Sequence, residues 1–155
     1  MSLFFRVVVL ALTAYIVFTQ VFLVTQNKGL GMFPAMKDGD LIIAYRLQQD
    51  YAKNDVVVYE VDGEQRVGRI IARETDVVTM DDSGTLLVNG TVQTGEILYP
   101  TYMKEDITYP YEVPEGHVFV MGDYRTNAVD SRDYGAISMG NVKAKVITIL
   151  RRRGL

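Results

Sequence analysis

The 155-residue chain contains no cysteine, no tryptophan and a single histidine, His117. Without cysteine there is no disulfide framework, no thiolate zinc site and no cysteine nucleophile. A single histidine also argues against a metal site built from imidazole groups, and the acidic residues show no metal-ligand spacing. We therefore expect neither a metal nor a cofactor.

Positive charge is not in excess either. The formal net charge is −3, from 19 acidic residues against 16 lysines and arginines. A surface that binds nucleic acid usually carries a basic excess, so this class of partner is not expected. The run Arg151–Arg153 is a local exception. We interpret it as a solvated tail, with contact to anionic lipid headgroups as the alternative.

One apolar run, Val7–Val24, is long enough to cross a membrane. It carries no charge, and 18 residues are close to the lower limit for a helix that spans about 30 Å of hydrocarbon. The residues that follow, 25–28, offer no small-x-small cleavage site, so the sequence favours a retained anchor over a cleaved signal.

The predicted organisation is thus a short tail, 1–6, a transmembrane anchor, 7–24, and one domain, 25–155. Arg6 is the only positive charge ahead of the anchor and weakly favours an N-terminus inside the cell. We expect a single-pass protein of the cell membrane whose domain is extracytoplasmic.

Beyond the anchor, apolar residues come in short runs rich in β-branched side chains and bounded by Gly, Asp or Asn, which is typical of strands. The runs are Leu41–Tyr45, Val56–Tyr59, Arg69–Ala72, Val118–Met121 and Lys145–Leu150. Residues Thr85–Val92 predict a hairpin, because Asn89-Gly90 suits a type I′ turn. With no convincing amphipathic helix after Val24, the expected fold is mostly β, a barrel or packed sheets behind one transmembrane helix.

Four stretches, in the same order, resemble motifs of type I signal peptidases. Gly29–Asp40 is similar to G-x-S-M-x-P-T-L-x-x-G-D, and Asn54–Tyr59 is similar to G-D-[IV]-V-V-F. Val67–Ala72 is similar to V-K-R-[IV]-I-[GA], and Gly122–Gly135 to G-D-N-R-x-x-S-x-D-S-R-x-x-G. The resemblance covers most of the chain, and the short form, with one anchor and a small β domain, resembles the Gram-positive branch.

The resemblance implies acyl transfer by a serine–lysine dyad. In that scheme the serine Oγ attacks a peptide carbonyl after a neutral lysine removes its proton. Burial against apolar groups lowers the pKa of such a lysine, and a further serine orients it. A groove beside the dyad binds the signal peptide as an added strand, with shallow pockets for small side chains.

In this chain all three chemical positions of the motifs hold other residues. Gly31 stands at the position of the nucleophile, Gly68 at that of the general base and Ala128 at that of the orienting serine. Glycine has no side chain that attacks a carbonyl or accepts a proton, so catalysis by this dyad is not expected. The neighbouring positions keep the residue types of the motifs: Met32, Pro34, Gly39, Asp40, Arg69, Gly122, Asp123, Arg125, Asp130, Ser131, Arg132 and Gly135.

Other candidate catalytic groups are interpreted as structural. Ser131 is predicted to bond to backbone within a turn, because a nucleophile also needs a base within reach. A set built from Ser131, His117 and Asp123 or Asp133 has no motif to support it. Ionised pairs are predicted to brace the site, drawn from Arg69, Asp123, Arg125, Asp130 and Arg132.

The resemblance places the peptide-binding groove between two segments, 28–36 and 64–72. The residues assigned to it are Gly29, Gly31, Met32, Phe33, Pro34 and Gly68. Met32, Phe33 and Met36 are expected to supply flexible apolar surface. Gly31 and Gly68 are expected to leave extra room where a dyad would stand.

Three hypotheses for function remain open. The first is a non-catalytic chaperone or assembly factor that binds an extended segment of a secreted protein. Degenerate relatives of this kind occur beside sortases in Gram-positive pilus clusters and are required there for pilin polymerisation, so a pilin or sortase is the expected partner. The second is an active signal peptidase with an unrecognised nucleophile, and the third is a membrane protein with a vestigial groove. The missing side chains favour the first.

Overall fold

The structure, a computed structural model, describes residues 2–95 and 98–151. One N-terminal helix precedes a domain of two antiparallel sheets. The mostly β architecture expected from the sequence is therefore confirmed. Arg152 and Arg153, two members of the C-terminal arginine run, lie outside the described residues.

Helix α1 spans Leu3–Val21. Its 19 residues are long and apolar enough to cross a membrane, and none is buried by the domain. The helix begins and ends earlier than the predicted anchor, 7–24. It ends at Val21 because residues 22–26 leave the helix and form a ladder with a neighbouring strand.

The described residues contain eleven strands, a second short helix and one turn of 3₁₀ helix. The strands are β1 Phe22–Gln26, β2 Leu41–Tyr45, β3 Val56–Val61, β4 Glu64–Arg73, β5 Val77–Met80, β6 Leu86–Val88, β7 Thr91–Val92, β8 Tyr111–Glu112, β9 His117–Met121, β10 Ile137–Ser138 and β11 Val142–Leu150. Helix α2 spans Ser131–Tyr134, and the 3₁₀ turn spans Met139–Asn141.

The larger sheet has seven strands in the order β1-β2-β11-β3-β4-β9-β10, and the smaller has four in the order β7-β6-β5-β8. All five predicted strand runs lie within strands of the larger sheet. The predicted hairpin is confirmed as well, because Val88 pairs with Thr91 across a turn. Asn89 and Gly90 at that turn have φ of 52° and 76°, as a type I′ turn requires.

Three buried clusters hold the domain together. In the first cluster, Phe119 and Met121 pack with residues of the small sheet. The second cluster contains Val57, Tyr59 and Ile70. The third cluster contains Met32, Met36, Ile42, Ala44, Val58 and Ala144. Through this third cluster, the irregular segment that follows β1 is fastened to the large sheet.

Besides the edge of the terminal strand β10, two strand edges of the large sheet that lie near each other lack a ladder partner among the described residues. Strand β1 is at the end of the strand order and pairs with β2 alone. Residues 64–68 of β4 pair with β3, whereas the pairing of β4 with β9 begins only at Arg69. Unpaired edges of this kind can accept a further strand.

Candidate peptide-binding groove

A groove with a volume of about 770 Å³ lies between these two unpaired edges. One wall consists of residues 25–32 and the opposite wall of residues 63–67, and Asn127 and Val129 complete the lining. The side-chain amide of Gln65 crosses between the walls and donates from Nε2 to Oγ1 of Thr25, at 2.8 Å. Because both walls include unpaired strand edges, the groove offers backbone donors and acceptors to an extended peptide.

Gly31 opens directly onto this groove. A Cβ atom added there would meet nothing nearer than the Cβ of Ala128, at 3.9 Å. The segment around Gly31 is held to the loop that follows β9, because the carbonyl oxygen of Gly31 accepts a hydrogen bond from the backbone N–H of Tyr124, at 3.0 Å. Gly122 permits this approach, since a Cβ at that residue would lie 2.4 Å from the carbonyl oxygen of Gly31. The extra room expected at Gly31 is present.

Gly68 does not leave the room expected from the sequence. It is buried beneath its neighbours, and a Cβ atom there would lie 2.4 Å from Cγ1 of Val120 and 3.2 Å from Cε1 of Tyr59. A space that is already filled by buried side chains cannot form a pocket. Gly68 therefore lies beside the groove and not in its lining.

The apolar residues assigned to the groove are distributed over three places. Met32 touches the groove, but its side chain is buried in the core, as is that of Met36. The expectation that these two methionines supply flexible surface is wrong. Phe33 packs on the ring of Tyr124, with centroids 5.9 Å apart, and Pro34 lines a neighbouring cavity. Of the residues assigned to the groove, Gly29, Gly31 and Met32 do line it.

Arg66 is a groove residue that the sequence motifs do not single out. It is directly opposite Tyr59 in the β3–β4 ladder and shares its strand face with Gly68. Its Nη2 donates to Oε2 of Glu64 at 2.8 Å, while its Nε is enclosed and has no acceptor among the described residues. The period-two pattern of a strand could have placed Arg66 beside Gly68 once β4 was extended beyond its motif.

Two tyrosines share a hydrogen bond under this face. The hydroxyl groups of Tyr59 and Tyr134 are 2.6 Å apart. Burial raises the pKa of Tyr59 to about 12, although the hydrogen bond to Tyr134 acts in the opposite direction. Burial also raises the pKa of Tyr134. Both groups are therefore neutral at physiological pH.

Ion pairs stabilise the loop between β9 and α2, but the residues that form them are not all those expected from the sequence. Arg69 donates to both carboxylate oxygens of Asp123, at 2.9 and 2.6 Å. Arg132 makes a fully buried bidentate pair with Asp130, at 2.9 and 2.8 Å. These geometries are the strong, fork-shaped type.

Arg125 differs from its expected role as an ion-pair member. Its guanidinium donates to two neutral oxygens, the carbonyl of Gly122 at 2.8 Å and Oγ1 of Thr101 at 3.1 Å. Burial lowers the pKa of Arg125 to about 10, so the group stays charged at neutral pH. Lys104, which no motif indicates, instead pairs with Asp133 at 2.7 Å and donates to the carbonyl of Ala128.

Ser131 is placed where a hydroxyl can only be structural. It is fully buried, and its Oγ accepts a hydrogen bond from the backbone N–H of Val120, at 3.0 Å. The Nδ1 of His117 lies 2.8 Å from the carbonyl oxygen of Glu115, and His117 is opposite Ser138 in the β9–β10 ladder. Within residues 2–95 and 98–151, no group of three metal-ligating side chains is present.

Comparison with known proteins agrees with the fold and the motifs. The family model for signal peptidase, peptidase S26, matches residues 1–150. The chain therefore belongs to the signal peptidase S26 family. Among solved structures, a signal peptidase I from Enterococcus faecalis aligns with a TM-score of 0.54 and 24% identity, covering 64% of this chain and 97% of that one. At that identity the likeness establishes the fold.

Relatives include both plastid and bacterial peptidases. The probable thylakoidal processing peptidase 2 of Arabidopsis thaliana is 33% identical over an alignment of 127 residues, with coverage of 72% of this chain and 33% of that protein. A signal peptidase I of Bacillus caldolyticus is 28% identical over an alignment of 135 residues, with coverage of 77% of this chain and 74% of that protein. The chain spans only a third of the length of the Arabidopsis protein, and 38% of a second thylakoidal peptidase from that plant.

One further relative is named as a membrane protease. The mitochondrial inner membrane protease subunit 1 of Saccharomyces cerevisiae is 35% identical over 79 residues, 51% of this chain and 37% of that protein. Together with the exposed apolar helix α1, this likeness indicates a membrane protein.

Proposed function

We propose that this protein is a non-catalytic member of the signal peptidase family that binds an extended segment of an extracytoplasmic protein in its groove. The observation that carries the proposal is the pair of glycines at the dyad positions of the motifs. Gly31 and Gly68 supply neither an attacking oxygen nor a base, and Val120 and Tyr59 fill the space beside Gly68. Without nucleophile and base there is no covalent route to peptide cleavage.

The groove itself supports binding in place of cleavage. Its walls include the free edges of β1 and of residues 64–67 in β4, so an extended segment between them can add main-chain hydrogen bonds on both sides. Helix α1 leads into β1 without an intervening loop, so the groove lies close to the end of the predicted anchor. A membrane-associated partner is therefore in reach of the groove.

The proposed partner is a pilin or a sortase, and the proposed role is assistance in pilus assembly. Support comes from the resemblance to degenerate family members that occur with such proteins. The domain is proposed to be extracytoplasmic, with Arg6 on the inner side of a single span. A protease added to intact cells stripped of wall should digest the domain, and protection of the domain would contradict this orientation.

Cleavage is the direct test of the non-catalytic proposal. The full chain in detergent should leave a signal-peptide substrate with an Ala-x-Ala site intact, while an active signal peptidase I cleaves it in parallel. Cleavage above the buffer control would favour the second candidate, an active peptidase. That candidate is favoured by the names of the relatives, which are peptidases and proteases.

Binding is tested by filling the groove. The change Gly31→Trp places a bulky side chain in open space, and Gly140→Trp is a matched control, because Gly140 also has room for a Cβ but lies outside the groove lining. With a photo-crosslinking residue at Val129 on the groove rim, we expect a pilin adduct that disappears in Gly31→Trp and persists in Gly140→Trp. Pilus polymers that form normally with Gly31→Trp would show that the groove is vestigial.

A further inference from the structure

Arg66, the cation in the β4 wall of the groove, has an N–H donor without an acceptor. Arg66 exposes about a third of its side chain, yet its Nε is enclosed and has no acceptor in the described part of the chain. A guanidinium presents its N–H donors as a rigid fork that matches the two oxygens of a carboxylate. Because Nε itself is closed to solvent, a carboxylate in the groove would pair with the terminal nitrogens of the fork, which can donate to both of its oxygens.

The present partner of Arg66 is poorly suited to hold it. Glu64 reaches only Nη2 of Arg66, and its own side chain is 70% exposed. An ion pair between residues this close in sequence and this open to solvent contributes little to stability. An incoming carboxylate with better geometry can therefore replace Glu64 at small cost.

The rest of the lining is complementary to negative charge. The charged residues that line the groove are Lys28, Glu64 and Arg66. Among residues 2–95 and 98–151, no carboxylate lies within ion-pair distance of Lys28, which stands on the wall opposite Arg66. The exposed amide side chains of Gln26 and Asn127 add further hydrogen-bonding groups. A small apolar side chain offers neither Arg66 nor Lys28 an acceptor.

We propose that Arg66 determines the selectivity of the groove, which binds extended segments that carry an aspartate or glutamate side chain facing β4. This inference rests on the proposed peptide binding and names the chemistry of its ligand. The proposed preference differs from the shallow pockets for small side chains that the family resemblance implies. On β4, Arg66 lies two residues before Gly68 and on the same strand face.

The experiment compares pairs of peptides that differ only in charge. Heptapeptides of alternating alanine and threonine, acetylated and amidated at their ends, carry a single glutamate or a single glutamine at each position in turn. The full chain in detergent micelles, labelled with ¹⁵N-arginine, reports the Nε–H resonance of Arg66 during titration. At the preferred position the glutamate peptide should bind about tenfold tighter, as expected for a charge-assisted hydrogen bond, and should shift that resonance.

Two variants assign the preference to Arg66. Arg66→Gln should abolish the difference between the glutamate and glutamine peptides, and Arg66→Lys should retain part of it, because lysine keeps the charge without the fork. Arg73→Gln is the control, since Arg73 is on the same strand and in an ion pair with Asp50 but outside the groove lining. It should leave the preference unchanged, and higher salt should reduce it in the parent chain.

The outcomes separate this inference from the function on which it rests. Equal binding of both peptides at every position, or a preference that survives Arg66→Gln, overturns the role of Arg66 while peptide binding stands. Peptide binding to neither wild type nor variant overturns the proposed function itself. The Arg66 Nε–H resonance is measured in the unmodified protein, so an unfolded variant does not remove the test.

Discussion

Cγ1 of Val120 occupies the place that a side chain at residue 68 would need. A Cβ atom on Gly68 would lie only 2.4 Å from it, whereas a Cβ on Gly31 would have 3.9 Å to its nearest neighbour. The two glycines that the motif resemblance assigns to the dyad are therefore not equivalent. Residue 31 could carry a side chain within the present packing, and residue 68 could not, because Val120 is fully buried and β-branched, with little freedom at χ1.

The change Gly31→Ser should therefore give a folded but inactive protein. The added atoms point into the open groove, so the free energy of unfolding should change by no more than about 0.5 kcal/mol. Serine without a base within reach is a weak nucleophile, so no cleavage is expected. Urea unfolding and a signal-peptide cleavage assay measure the two quantities. Robust cleavage by Gly31→Ser alone would reveal an unrecognised base and would contradict the dyad argument.

The change Gly68→Ala should destabilise the domain by about 1–3 kcal/mol, since it overpacks a filled core. Combining it with Val120→Ala removes the clashing Cγ1 atom. The double variant should then lose less stability than the sum of the single losses, with a coupling energy of about 0.5–3 kcal/mol. Strictly additive losses in urea unfolding would show that Val120 does not restrict residue 68.

The same clash governs any attempt to rebuild the dyad. Gly31→Ser with Gly68→Lys should remain inactive while Val120 is present, because Cγ1 of Val120 leaves no space for the Cβ atom of the lysine. Adding Val120→Ala should permit the lysine to enter and is the only one of these combinations in which we expect measurable cleavage. Activity in the double variant that Val120→Ala does not increase would contradict this account.

Breaking the buried pair between Asp130 and Arg132 should be far more costly than breaking an exposed one. Each side chain of that pair is 1% exposed, so Arg132→Met would leave an uncompensated buried carboxylate at a cost of about 3–5 kcal/mol. The exposed pair of Arg73 with Asp50 provides the control, and Arg73→Met should cost less than about 1 kcal/mol. Equal shifts of the two urea midpoints would mean that the pair is not enclosed in solution.

Local sequence patterns predicted the strands well, because β-branched runs and an Asn-Gly turn act over a few residues. The end of helix α1 was misplaced, since Leu23 and Val24 are as apolar as the helix but pair with β2. The burial of Met32 and Met36 depends on packing against Val58 and Ala144, which are far away in sequence. Such long-range contacts leave no local signal.

The candidate site was likewise predicted where a local motif indicates a residue and missed where tertiary contacts decide. Motif spacing identified Gly31, and the structure shows it facing an open groove. Whether a side chain fits at residue 68 depends on Val120 of β9, and no motif specifies the register in which β9 pairs with β4. Arg66 was missed because its significance comes from its enclosed Nε and its place opposite Tyr59, and both are tertiary facts.

Alkaline pH should reveal the enclosed tyrosines. Burial raises the pKa of Tyr59 and of Tyr109 to about 12, compared with about 10 in an unfolded chain. Below pH 10 both residues are neutral in both states and favour neither. Between about pH 10 and 12 the unfolded chain loses these protons first, so stability falls as pH rises. Replacing either residue by phenylalanine should therefore reduce the loss of stability over this range.

At neutral pH the same two substitutions should have opposite effects. Tyr59→Phe removes the hydrogen bond to Tyr134 and should cost about 0.5–1.5 kcal/mol. The hydroxyl of Tyr109 is buried without a partner in the described part of the chain, so Tyr109→Phe removes an unsatisfied group and should be neutral or stabilising. Urea unfolding at neutral and alkaline pH measures both effects. If Tyr109→Phe proves as costly as Tyr59→Phe, the Tyr109 hydroxyl has a hydrogen-bond partner in solution, such as an ordered water, and this part of the interior is wet.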